Sequence, residues 1–152
     1  MKIGDKAPDF ELLDETGAPR RLSEMLTKGP VVLFFYPAAM TTGCTAESCH
    51  FRDLKAEFEA YDAQRVGISP DGVAKQREFS QLHNFDYPLL ADDQGIVAGL
   101  FDVKPKLIKI TPVRRATFVI DTDGTVLDVI KSEVRMSLHA DKALEALAKR
   151  GA

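Results

Sequence analysis

Positions 31–53 read VVLFFYPAAMTTGCTAESCHFRD. The first six, Val31–Tyr36, are continuously apolar and rich in aromatics, the pattern of a strand covered on both faces. Pro37 ends the run, since it has no N–H to give a ladder. From about Thr42 the period changes. Phe51, Leu54, Phe58 and Tyr61 recur at spacings of three and four with charged residues between them, which predicts a helix. A strand feeding a helix at its carboxyl end is where open α/β sheets place their sites.

The flanking sequence extends this pattern. DFELLDETGAPRRL (9–22) predicts a hairpin turning at Glu15-Thr16-Gly17. QRVGIS (64–69) and YPLLAD (87–92) predict strands, with a helix opening at Pro70-Asp71 and running to about His83. A short helix is expected near Gly95–Leu100. ATFVIDTDGTVLDVI (116–130) predicts a hairpin about Asp121-Thr122-Asp123-Gly124. SLHADKALEALAKR (137–150) predicts an amphipathic helix with Leu138, Leu144 and Leu147 inward. The order implies one α/β domain over 1–152: a central mixed sheet flanked by helices, with an N-terminal β-hairpin.

Composition narrows the function classes. A chain of 152 residues can bury roughly 70% of its unfolded surface, so it needs neither disulfide nor structural metal to fold. A net charge of −3, with Lys and Arg scattered, argues against a nucleic-acid partner. No segment has the apolar length of a membrane span, and Met1–Lys6 has no apolar signal core. A cytoplasmic enzyme is expected, and in a reducing compartment a cysteine pair serves catalysis or metal more often than as a staple.

The two cysteines, Cys44 and Cys49, stand in a C-x4-C arrangement at the predicted helix start. Unpaired N–H groups and the positive end of the helix dipole stabilise a thiolate there. Position alone leaves a reactive thiol and an inert buried one both open. On an intact helix the two Cα atoms lie about 8–9 Å apart. A disulfide tolerates at most ~7 Å, so any bond between them requires the first turns to unwind. A metal site would have His50 as third ligand, but adjacent helical residues point about 100° apart and structural zinc prefers four ligands. His83 and His139 lie on other predicted helices and are expected at the surface or in packing.

These residues carry a resemblance. PAAMTTGC (37–44) resembles the P-x-x-x-T-x-x-C motif of peroxiredoxins, and GCTAESCHFRD (43–53) is similar to the G-C-T-x-E-x-C-x-F-R-D run of the peroxiredoxin Q, or bacterioferritin comigratory protein, group. GDKAPDFELLDETGAPRRLSE (4–24) resembles the group's N-terminal hairpin, and RATFVIDTDG (115–124) the segment that supplies an active-site arginine. The resemblance implies a thioredoxin-like fold and thiol-dependent reduction of hydroperoxides without a cofactor or metal. It makes Cys44 the peroxidatic and Cys49 the resolving cysteine, with electrons from thioredoxin or a similar dithiol donor, in a monomer or weak homodimer. Chemistry agrees with the remaining roles. Thr41 can place a hydroxyl that accepts from peroxide and donates to the thiolate. Arg115 favours thiolate and developing oxyanion. Pro37 fixes the turn and shields the site from water, and the resemblance places Glu47 to orient the arginine through an ion pair. Arg114 and Arg115 point to opposite faces of a strand, and the resemblance selects Arg115. A redox-sensing or chaperone-like thiol protein on the same fold is the alternative.

Two departures stand out. Thr42 replaces the group's usual proline before Gly-Cys and is a candidate N-cap. VKPKLIKITPVRR (103–115) lacks the expected glycines; its Leu107, Ile108 and Ile110 either pack over the core or form a contact surface for a dimer mate or an apolar peroxide.

Overall fold

The structure, a computed structural model, describes residues 1–104 and 113–151. Most of the 103–115 segment on which the contact-surface expectation falls lies outside the described residues. Strands β1 (Glu11–Leu13) and β2 (Pro19–Arg21) form the N-terminal hairpin, followed by the one-turn helix α1 (Leu22–Met25). Next come β3 (Val31–Phe35), α2 (Thr42–Asp53), α3 (Lys55–Glu59), β4 (Gln64–Ser69) and α4 (Val73–His83). The chain continues through β5 (Leu89–Ala91), α5 (Ile96–Leu100), β6 (Ala116–Ile120), β7 (Val126–Lys131) and α6 (Met136–Arg150).

The strands make one seven-stranded mixed sheet in the order β2-β1-β5-β4-β3-β6-β7. β3 lies parallel to β4 and antiparallel to β6, and β4 lies parallel to β5. The two parallel crossovers carry α2–α3 and α4. The antiparallel hairpins close both edges. Among the described residues no helix is long and apolar enough to cross a membrane.

All of β3 is buried, and its alternation divides the interior in two. Val31, Leu33 and Phe35 join one cluster with Leu22 and Met25 of α1 and Val97 and Ala98 of α5. Val32, Phe34 and Tyr36 join another with Phe51 of α2, Phe58 of α3, Phe79 of α4 and Leu147 of α6. The second cluster is held by aromatic contacts, chiefly Phe34 stacked on Phe51 at 4.1 Å with planes 7° apart. Gly67 of β4 makes room for these rings. A Cβ there would lie 2.8 Å from Leu89, 3.0 Å from Phe34 and 3.2 Å from Tyr36.

Several expectations need correction. The helix predicted from Thr42 is two helices, because Leu54 leaves helical geometry (φ −95°, ψ 23°) while Phe58 keeps facing the same core. The α4 helix starts at Val73, since the Asp71 carboxylate is used in the preceding loop. In α6, Leu138 and Leu144 pack half-buried against the core as expected, but the fully buried face also takes in His139, Ala140 and Ala143 beside Leu147. We expect Phe51→Ala to cost about 3–5 kcal/mol in urea unfolding, as a deleted core aromatic does, and Leu82→Ala at an exposed position of α4 to change stability by no more than about 0.5 kcal/mol.

Candidate active site

The loop leaving β3 is suspended from its neighbours before it delivers α2. Tyr36 continues the ladder, its N–H donating to the Ile68 carbonyl at 3.0 Å. Its buried hydroxyl donates to Gln76 Oε1 at 2.6 Å, and the Gln76 amide in turn donates to Ser69 Oγ and the Leu90 carbonyl. Asp71 accepts from the Ala39 N–H and from Ser69 Oγ, each at 2.7 Å. Met40 then adopts a left-handed conformation (φ 71°), uncommon for a side-chain-bearing residue, and this reverses the chain into α2. The N-cap is Thr41 rather than Thr42, and it makes no side-chain capping bond.

The first helical bond of α2 runs from the Thr45 N–H to the Thr41 carbonyl at 2.9 Å. Cys44 therefore sits in the opening turn, where N–H groups lack helical acceptors and the dipole's positive end lies. Its side chain is fully buried, and both cysteines are free thiols. Arg115 comes from the residue preceding β6 and donates Nη2 to Cys44 Sγ at 3.2 Å and Nη1 to Glu47 Oε1 at 3.1 Å. Its own N–H donates to Glu133 Oε1 at 3.0 Å, which fixes the approach of the strand. One cation thus faces two acidic groups. Burial, only partly offset by the charge of Arg115, pushes the Glu47 carboxyl up to about 8.

His139 of α6 completes the cluster. It is fully buried, with Nε2 2.9 Å from the Ser132 carbonyl and Nδ1 2.8 Å from Thr117 Oγ1. A carbonyl only accepts, so Nε2 carries the proton, Nδ1 accepts, and the Thr117 hydroxyl donates. Burial holds the imidazole below its ordinary value and neutral. Nε2 also lies 3.5 Å from Glu47 Oε2, an oxygen with no hydrogen bond among the described residues. Arg115 Nε is likewise buried and unpartnered, so both members of the ion pair retain unused polar capacity.

The six residues singled out in the sequence are placed as follows. Arg115 is in direct contact with both Cys44 and Glu47, and Arg114 is exposed. Pro37 is half-buried at the end of β3. Thr41 is exposed, and its hydroxyl donates to the Ala38 carbonyl at 2.9 Å rather than to the sulfur. Cys49 is half-buried within the same helix as Cys44, and burial pushes its thiol up. Sequence reasoning missed the burial of His139 against Glu47, although its spacing of four from Ala143 and again to Leu147 marks the inner face of α6. Among the described residues no group of three or more His, Cys, Asp or Glu side chains is placed to hold a metal.

A thiol with a cation already donating to it is equipped to attack an electrophile and give up electrons, the chemistry of a thiol-dependent oxidoreductase. Comparison with known proteins narrows that class. Residues 3–129 match the AhpC/TSA family. The crystal structure of peroxidoxin BcpB from Mycobacterium tuberculosis superposes with a TM-score of 0.93 at 62% identity, covering 98% of this chain and 97% of that one. Peroxiredoxin Bcp of Bacillus subtilis is 40% identical over 152 residues, 97% of this chain and 95% of the relative. A bacterioferritin comigratory protein from Xanthomonas campestris, whose structure concerns alkyl peroxide reduction, has a TM-score of 0.86 at 28% identity over 94% of this chain and 92% of that one. The chain belongs to the AhpC/TSA family and is a peroxiredoxin of the Bcp and peroxiredoxin Q kind, a thiol peroxidase on a thioredoxin-like fold.

The raised carboxyl of Glu47 has a consequence for pH. A group whose folded value lies above its unfolded value of 4.5 contributes stability fully below 4.5, and that contribution is lost as pH rises through about 8. The Glu47 contribution to the wild-type melting temperature should therefore fall between pH 5 and pH 9. Glu47→Gln, which keeps the shape and cannot ionise, should fall less. Equal slopes in thermal unfolding followed by circular dichroism would contradict the assignment.

Proposed function

We propose that this peroxidase reduces hydrogen peroxide and organic hydroperoxides through a sulfenic acid on Cys44, resolved by Cys49 as an intramolecular disulfide and recycled by thioredoxin or a similar dithiol. The observation that carries the reading is the Arg115 guanidinium 3.2 Å from Cys44 Sγ at the mouth of α2. The Cys44 thiolate attacks the terminal peroxide oxygen, forming an S–O bond as the O–O bond breaks. The departing alkoxide or hydroxide takes a proton and leaves as alcohol or water. Arg115 acts twice, first on the thiolate and then on the charge that develops on the departing oxygen. Thr41 donates to Ala38, which leaves its oxygen lone pairs to accept the peroxide hydrogen and hold the O–O bond in line with sulfur. Glu47 steers the guanidinium, and Pro37 covers the turn.

The X. campestris relative's association with alkyl peroxides supports organic hydroperoxides as a substrate class. The sulfenic acid next condenses with the Cys49 thiol: an S–S bond forms, the S–O bond breaks, and the hydroxyl leaves with the Cys49 proton as water. Cys49 lies on the same helix and has a thiol to give.

In an assay coupled to thioredoxin and its reductase, Cys44→Ser should abolish NADPH consumption with either hydrogen peroxide or an alkyl hydroperoxide. Cys49→Ser should accumulate a dimedone-reactive sulfenic acid yet fail to turn over. Arg115→Leu should lower the rate of Cys44 oxidation by about 10²-fold or more, the scale of a lost oxyanion donor. Full turnover by Cys44→Ser would refute the assignment.

A further inference from the structure

The spacing of Cys44 and Cys49 obliges part of α2 to unwind before their sulfurs can meet, and the helix is fastened unequally along its length. Toward its C-terminus, three backbone carbonyls are held by side chains from outside the helix. Tyr87, in the connection from α4 to β5, donates its buried hydroxyl to the Ser48 carbonyl at 2.7 Å, one residue before Cys49. Arg65 of β4 donates Nη1 to the Phe51 carbonyl at 2.9 Å and reaches the Arg52 carbonyl at 3.5 Å. Those two carbonyls belong to the last turn, where helical donors run out and a cation meets the negative end of the dipole. Arg65 is itself fixed by two bonds to Asp86, at 3.1 and 2.6 Å, and lies 5.1 Å over the Tyr87 ring. Phe51 is fully buried between Phe34 and Phe58, and Arg52 Nη1 donates to the His83 carbonyl at 2.8 Å.

The opening turns are held differently. Thr41, Thr42 and Ala46 are exposed, and the N-cap makes no side-chain bond. This end is fastened by Arg115, on Cys44 Sγ and Glu47 Oε1, with His139 Nε2 of α6 3.5 Å from Glu47 Oε2. Oxidation of the Cys44 thiolate to a neutral sulfenic acid removes one of the two acidic partners of that guanidinium. The reaction thus weakens the anchor of the N-terminal half and leaves every fastening of the C-terminal half intact.

We propose that Arg65 and Tyr87 are positioning residues for the resolving step: they keep Ser48–Asp53 helical as a fixed seat for Cys49, so that unwinding is confined to the turns from Thr42 to Glu47. Cys44 travels and Cys49 stays. The proposal rests on Cys49 being the resolving thiol. While Cys44 travels, its sulfenic acid has two fates. Condensation with Cys49 expels water and gives the disulfide. Transfer of an oxygen from a second hydroperoxide gives the sulfinic acid and an alcohol. A seat that holds Cys49 in place favours the first.

The test compares backbone amide exchange, residue by residue, in the reduced protein and after one equivalent of hydrogen peroxide. Amides of residues 45–49 should exchange at least about tenfold faster in the disulfide form, as in a locally opened segment. Those of Arg52, Asp53 and Leu54, whose helical acceptors are the carbonyls of residues 48–50, should stay within about threefold of the reduced protein. Tyr87→Phe keeps the ring and removes the hydroxyl. It should raise the sulfinic acid formed per turnover, measured by mass spectrometry, about fivefold, the scale of one net hydrogen bond. That fraction is a ratio of competing fates, so a variant that only melts at a lower temperature does not move it. Loss of protection throughout residues 45–54, or an unchanged sulfinic fraction in a folded Tyr87→Phe, overturns the proposal alone. Absence of any intramolecular disulfide overturns both the proposal and the resolving role of Cys49. If Tyr87→Phe does not fold, the wild-type exchange pattern decides.

Discussion

The guanidinium of Arg115 is the point on which the two halves of the site converge. It stands just before β6, whose register against β3 brings it over the opening turn of α2. From there it touches Cys44 and Glu47 together, and its backbone is held in turn by Glu133. The contact with Cys44 joins residues separated by 71 positions. The antiparallel pairing of β3 with β6 therefore sets the chemistry as much as the helix does. Because the pair Glu47–Arg115 is buried, its cost in desolvation is considerable, and that cost is what raises the Glu47 carboxyl above its ordinary value.

Behind the ion pair stands a second layer of neutral polar groups. His139 bridges Thr117 of β6 and the Ser132 carbonyl, and its Nε2 lies 3.5 Å from the Glu47 oxygen left without a hydrogen bond among the described residues. Helix α6 packs directly on α2, so this histidine ties the last helix of the chain to the first turns that carry Cys44. Polar contacts thus run from the thiol through Arg115 and Glu47 to His139, Thr117 and the Ser132 carbonyl just after β7.

Much of this architecture was visible in the residues, and the gaps have specific physical reasons. The apolar run Val31–Tyr36, the Asp-Gly turn before β7 and the glycine turn before β2 are local signals, and each element forms there. Helix α1 is four residues long, too short for a period to show. The break at Leu54 was hidden because the apolar spacing continues unbroken across it, both helices facing one core. Which of two adjacent threonines caps α2 was undecidable from residue type, and the left-handed turn at Met40 settles it. Strand parity could separate Arg114 from Arg115 but not rank them; the structure buries Arg115. Arg65 of β4 and the neighbours Asp86 and Tyr87 of the α4–β5 connection share no motif, so their convergence on α2 is a property of the fold alone.

The sequence contains no tryptophan and three tyrosines. Two of them, Tyr36 and Tyr87, are buried with their hydroxyls committed to amide oxygens, one on Gln76 beneath the Cys44 loop and one on the Ser48 carbonyl. A phenol bonded to an amide oxygen emits weakly, and its emission rises when that bond is released. The molecule consequently carries its own optical reporter. Its ultraviolet fluorescence, undistorted by any indole, sums these two phenols with the half-buried Tyr61, and the part that Tyr87→Phe removes is the part that follows the hold on Ser48.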